Sequence, residues 1–126
     1  MLNYARQRAI EALKVPRRVV LATSGPAGVQ AGEYPCQAIG LVVYLLVPGT
    51  SDHLFNLEYD PRATLLAAGW ASIGKAQVIA PGKSDPGLDL LREPGADWCV
   101  LVRVDPDKVQ IRRQGGWGNL ETIDLM

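Results

Sequence analysis

Residues 51–66 read Ser51-Asp52-His53-Leu54-Phe55-Asn56-Leu57-Glu58-Tyr59-Asp60-Pro61-Arg62-Ala63-Thr64-Leu65-Leu66, an order of residue types that specifies a short helix feeding directly into a strand. Ser51 is a helix N-cap residue, and Asp52 suits the positive end of the helix dipole. Leu54 and Leu57 fall on one helical face. Asp60-Pro61 stops the helix, because proline lacks the N–H that the next turn needs and pushes the residue before it towards extended backbone. A β-type run over 63–68 follows at once.

Working outward, further β-type runs occupy 17–23, 29–37, 41–47, 73–80, 98–104 and 108–113. Turn residues separate them: Gly25-Pro26 and Gly28, Gly40, Pro48-Gly49, Gly69, Pro81-Gly82 and Asp105-Pro106-Asp107. Before the first strand, Leu2, Ala5, Ala9, Ile10 and Leu13 recur at three- and four-residue spacing, predicting an N-terminal helix that Pro16 ends. Residues 88–92 are expected to form a short helix or an ordered loop. The tail 114–126 lacks periodicity and is expected to lie over the barrel or over a partner subunit. Trp70 and Trp98 are expected in the core or an interface. About six or seven short strands with few helices make a mainly β fold, a barrel or a sandwich.

Composition narrows the function classes. The chain has 126 residues, 48% of them hydrophobic, which fits a single domain spanning 1–126. Thirteen basic and thirteen acidic residues cancel, so no broad positive field draws nucleic acid or an anionic membrane, and neither is an expected partner. The best apolar run, 39–47, is the length of a buried strand and too short for a bilayer. Arg6, Arg8, Glu11 and Lys14 interrupt the positions where a signal peptide needs an apolar core, so the expected location is cytoplasmic. Cys36 and Cys99 form no CxxC pair and fit reduced, partly buried thiols; with His53 the sole histidine, no metal site is expected. There is no Gly-x-Ser-x-Gly elbow and no P-loop, and the glycine-rich segment 25–32 leads into a strand, unlike a dinucleotide fingerprint.

The helix motif, H-x-x-N-L-x-x-D-P-R over His53 to Arg62, resembles that of the pyridoxamine 5'-phosphate oxidase-like family of FMN-binding split barrels. Gly74-Lys75-Ala76 and Val104-Asp105-Pro106 fall where that family has similar groups, and the order of elements agrees over about residues 17–113. The resemblance implies a six-stranded antiparallel split β-barrel with short helices. It further implies a homodimer with FMN in a groove lined by both subunits, acting as an oxidoreductase on a small-molecule substrate. The same motif also resembles the haem-utilisation branch of the superfamily, so a non-catalytic flavin- or haem-binding protein is an alternative, as is a degenerate dimeric scaffold. The sequence departs from the family in two places. Glu33 lies on the second strand, where many relatives carry a hydroxyl or an arginine, and His53 replaces a lysine in the helix's first turn.

Candidate cofactor-binding residues are Thr50, Ser51, His53, Lys75 and Trp117. A helix mouth offers unpaired N–H groups and partial positive charge, to which Thr50 and Ser51 add hydroxyls and a protonated His53 would add charge; Asp52 opposes them. A lone histidine in a first helical turn is otherwise an ordinary solvated residue. Lys75 and Arg17 are cations at or within strands, placed to reach a groove. Trp117, flanked by glycines, suits stacking on a flat aromatic ligand or packing on a partner subunit. Asn56, Asp60 and Arg62 read as structural: a bond to the preceding loop, a helix stop, and an ion pair with Asp60 or with a partner chain.

Overall fold

The computed structural model describes residues 2–80, 88–112 and 120–125. Its elements are α1 (Leu2–Lys14), β1 (Arg18–Thr23), β2 (Gln30–Ile39), β3 (Val42–Pro48), α2 (Asp52–Tyr59), β4 (Arg62–Ala67), β5 (Trp70–Ile79), β6 (Cys99–Arg112) and β7 (Leu120–Asp124). Two 3₁₀ turns, Asp89–Arg92 and Ala96–Trp98, precede β6. The sheet order is β3-β2-β1-β4-β5-β6-β7, and β3 also pairs with β6. That extra pairing closes β1 to β6 into a six-stranded antiparallel barrel, with β7 added along β6.

Alternation builds the wall. In β1, Val19, Leu21 and Thr23 are buried while Val20 and Ala22 face outward; in β4, Ala63 and Leu65 are buried while Arg62, Thr64 and Leu66 face outward. Leu21, Leu45, Leu65, Val102 and Val104 fill the interior, each worth roughly 1.5–3 kcal/mol of burial. The stripe on α1 places Ala9 and Leu13 in the same core, with Ala5 and Ile10 packed against it. A second cluster on the outside of β3 joins Tyr44 and Leu46 to Leu88 and Leu90. The β2–β3 turn is Gly40-Leu41, with Ile39 opposite Val42. Its glycine has φ 62°, the positive value that the first central residue of a type II′ turn needs.

Two sequence expectations are corrected. The expected break between the runs 98–104 and 108–113 is absent: Cys99–Arg112 is one continuous strand, because Asp105-Pro106-Asp107 forms a bulge and not a turn. Ile73 pairs with Lys108 and Gly74 with Pro106, leaving Asp107 as the extra residue. A proline within a sheet is accommodated at such a bulge, where its missing N–H breaks no regular ladder. The tail is not wholly irregular: Leu120–Asp124 pairs with β6, and Arg8 of α1 bonds Glu121 at 2.5 Å, tying helix to strand. Trp70 is in the core as expected, and Trp98, 83% exposed in this chain, is not a core residue, which leaves the interface half of its expectation.

Both cysteines are free. Cys36 is a core thiol whose burial pushes its pKa up to about 11, against a smaller opposing effect of Arg18. Among the described residues no cluster of three or more metal-ligating side chains occurs, and no helix is long and apolar enough to cross a membrane.

Candidate functional site

Helix α2 forms as its sequence dictates. Ser51 is the N-cap, its Oγ accepting from the His53 backbone N–H at 3.1 Å. Asp60 is the C-cap, and its carboxylate receives Arg62 Nε and Nη2. Those hydrogen bonds hold the Asp60 carboxyl down to about 2.

The inner face of α2 is polar where a helix on a barrel is ordinarily apolar. His53 is only 3% exposed and Asn56 is fully buried. Asn56 Nδ2 donates to Thr23 Oγ1 (3.2 Å) and to the Gly28 carbonyl (2.9 Å), and its Oδ1 accepts from the Ala27 N–H (2.9 Å). Thr23 Oγ1 lies 2.7 Å from His53 Nδ1. With Thr23 already accepting from Asn56, the arrangement that satisfies the whole network has its hydroxyl donating to Nδ1, which assigns a neutral ring protonated on Nε2. Tyr34 meets the imidazole edge-on at 5.5 Å.

Burial lowers the His53 pKa below its usual 6.5, outweighing the opposing effect of Asp52. A histidine with a depressed folded pKa contributes stability that is present above about pH 6.5 and lost as pH falls through the folded value. In an NMR titration the His53 ring should therefore titrate with a midpoint below 6.5. Chemical denaturation should find the wild type losing stability over that acidic range, and His53→Asn losing much less. A midpoint at or above 6.5 would show a solvated or anion-paired ring.

The sequence-derived candidates do not converge. His53 points inward, against the expectation of a solvated or phosphate-facing ring, and Ser51 Oγ caps its own helix. Thr50 is exposed beside Ser51. Lys75 is exposed on β5 opposite Arg62, beyond the other end of a helix of eight residues, about 12 Å long at 1.5 Å per residue. Trp117 lies outside the described residues. Arg17 lines a separate groove of about 340 Å³ with Lys14, Asp89 and Glu93. Glu33 is held by Arg18 at 2.8 Å, so it is not an uncompensated acid.

A groove of about 430 Å³ crosses the outer face of β1, β4 and β5. Ala22, Val29 and Ile73 give it apolar walls, and Ser24, Thr64 and Arg62 add hydroxyls and a guanidinium; Asp107 at the bulge is its acid. Ser24, Thr64 and Ile73 were not singled out from the sequence, although alternation from Arg62 puts Thr64 on its face. Apolar walls with a few polar groups fit a flat ring carrying an anionic tail. The mouth of α2 does not fit a phosphate, since Ser51 is spent, Asp52 is anionic and His53 is neutral and turned inward.

Known structures share this architecture. The chain is similar to general stress protein 26 from Bacillus anthracis, with TM-score 0.72 and 17% identity over 97% of this chain and 99% of that one. A Clostridium acetobutylicum protein related to general stress protein 26, of the pyridoxinephosphate oxidase family, gives TM-score 0.67 and 13% identity over 98% and 94%. This is the split-barrel fold of the pyridoxamine 5'-phosphate oxidase-like proteins. A heme binding protein from Mycobacterium smegmatis has it too, with TM-score 0.61 and 19% identity over 94% of this chain and 56% of that one. No protein-family model and no curated protein matches the chain. At these identities the likeness establishes the split barrel and leaves the ligand to be argued from the groove.

Proposed function

We propose that this split barrel binds FMN in the groove across β1, β4 and β5 and acts as a flavin-dependent oxidoreductase on a small molecule. The observation that carries the reading is the lining of that groove: an apolar wall of Ala22, Val29 and Ile73 beside Ser24, Thr64 and Arg62. Flavin supplies the redox chemistry when bound, so the chain need only orient the ring, hold its polar tail and admit a substrate.

A second copy supplies the facing wall. Leu66 is 47% and Val29 83% exposed, and Val20, Ala22, Ala71 and Ile73 extend the same outward face at half burial. Covering that surface in a homodimer removes apolar area from water and shields the ring. Haem, raised by the mycobacterial neighbour, has less support. The chain's one histidine is 3% exposed on the inner face of α2, so iron could reach its Nε2 only if the helix moved off the barrel.

One measurement tests ligand and assembly together. Purified protein incubated with FMN and passed through a sizing column with light scattering should carry a flavin absorbance band at about twice the 13.6 kDa chain mass. Elution of colourless protein would refute FMN binding, and a 13.6 kDa particle would refute the shared groove.

A further inference from the structure

Arg62 opens β4, and Lys75 stands directly opposite it on β5. Residues paired in this way share a face of the sheet, with Cβ atoms about 5 Å apart, and like charges there destabilise the pairing. The neighbouring acids do not relieve it fully. Asp60 is engaged by Arg62 through Nε and Nη2, and among the described residues Nη1 has no partner. Asp105, on the other side of Lys75 in the register, is held in a two-pronged bond by Arg103 Nε and Nη2. Among the described residues the Lys75 ammonium has no ion pair and no hydrogen bond. The row Asp60, Arg62, Lys75, Asp105, Arg103 therefore sums to one spare positive charge, centred on Lys75. Arg62 lines the groove together with Ser24 and Thr64; Lys75 is not one of the lining residues but stands across the register from Arg62, next in sequence to Gly74, which is. Asp107 is the acid of the groove; it sits at the bulge, next to Lys108, which stands opposite Ile73.

We infer that the Arg62–Lys75 pair, and not the α2 N-terminus, is the anion-binding end of the groove and takes the phosphate monoester of FMN. The inference rests on the FMN reading above. A guanidinium edge and an ammonium side by side give charge-assisted hydrogen bonds to a phosphate dianion, which in turn neutralises the repulsion between them. The helix mouth offers the opposite, a carboxylate at Asp52 and a hydroxyl already committed to capping.

Riboflavin, which lacks the phosphate, separates this inference from the reading it rests on. Fluorescence titrations with FMN and with riboflavin would be run on the wild type, on R62Q/K75Q and on T50A/S51A. The wild type should bind FMN at least about tenfold more tightly than riboflavin, as expected for hydrogen bonds to a charged group. In R62Q/K75Q that preference should vanish through loss of FMN affinity alone, whereas T50A/S51A should keep it. Survival of the preference in R62Q/K75Q, its loss in T50A/S51A, or equal wild-type affinities would overturn the assignment while leaving flavin binding intact. A wild type that binds neither flavin would overturn the FMN reading and this inference with it. Both side chains are exposed, so the barrel should tolerate the change; if circular dichroism shows otherwise, K75Q alone carries the same comparison.

Discussion

Replacing Gly74 with alanine is expected to lower the melting temperature by at least about 10 °C, corresponding to about 3 kcal/mol of overpacking. Gly74 is buried on β5 where the ladder to β6 slips by one residue. A Cβ there would collide with the Asp105 carbonyl oxygen and come within 2.7 Å of Pro106 Cα. Both obstacles are backbone, so no side chain can swing away to make room. Relief requires β5 and β6 to separate at the bulge, and β6 is the strand that closes the barrel onto β3. Gly69→Ala is the control, because a Cβ at Gly69 meets nothing within 4 Å and should change stability by no more than about 0.5 kcal/mol. Thermal unfolding followed by circular dichroism reads both variants. Equal melting temperatures for the two would mean that the bulge yields cheaply. The separation would also displace Lys75 and Asp107, so any folded G74A should lose FMN affinity.

The contrast between β6 and β2 shows how far local sequence reaches. Asp105-Pro106-Asp107 has the chemistry of a turn, and only the pairing of β6 with two partners makes it a bulge: β5 supplies one residue too few, and the proline's missing N–H lands at the slip. Nothing within six residues of Pro106 encodes that. Gly40-Leu41 is different, since a glycine between two strand-like runs is itself enough to specify a two-residue hairpin. Elements set by local chemistry, namely α1, α2 and the strands bounded by glycine, were readable. Elements set by distant pairing were not, as with β7, which exists because β6 offers it an edge.

The site divides along the same line. Asp60 and Arg62 were readable as structural because their partners are close, two residues apart; Asn56 was readable only as a residue type that bonds a loop, since its partners Ala27 and Gly28 lie 29 and 28 residues earlier. His53 was not. Its position in the first turn suits both a solvated ring and an anion ligand, and what decides is Thr23, thirty residues earlier, arriving at the end of β1. The opposition of Arg62 and Lys75 was equally hidden, since it depends on the register of β4 against β5. Hydrophobic alternation sets which face each residue takes but not which residue stands across from it.

Asn56→Ala should destabilise the barrel by about 4 kcal/mol, or roughly 12–15 °C. The side chain is fully buried and satisfies three groups at once: the Ala27 N–H, the Gly28 carbonyl and the Thr23 hydroxyl. Truncation removes all three bonds at once, leaves the buried Thr23 hydroxyl with His53 alone, and opens a cavity where the amide was. Water cannot readily replace the amide, because the turn packs tightly over it; a Cβ on Gly25 would lie 2.8 Å from Asn56 Oδ1 and 3.1 Å from Asn56 Cα. Thr23→Val removes only the shared hydroxyl and should cost less, about 1–2 kcal/mol. The two changes should combine to less than their sum, since they break one network. Glu58→Ala, on the exposed face of the same helix, should stay within about 0.5 kcal/mol. If N56A unfolds no earlier than E58A in urea, the network is dispensable and α2 is held by Leu57 and its apolar neighbours alone. If it unfolds as expected, the polar inner face of α2 exists to fix the helix on β1, and the one histidine in the chain is part of that fixture.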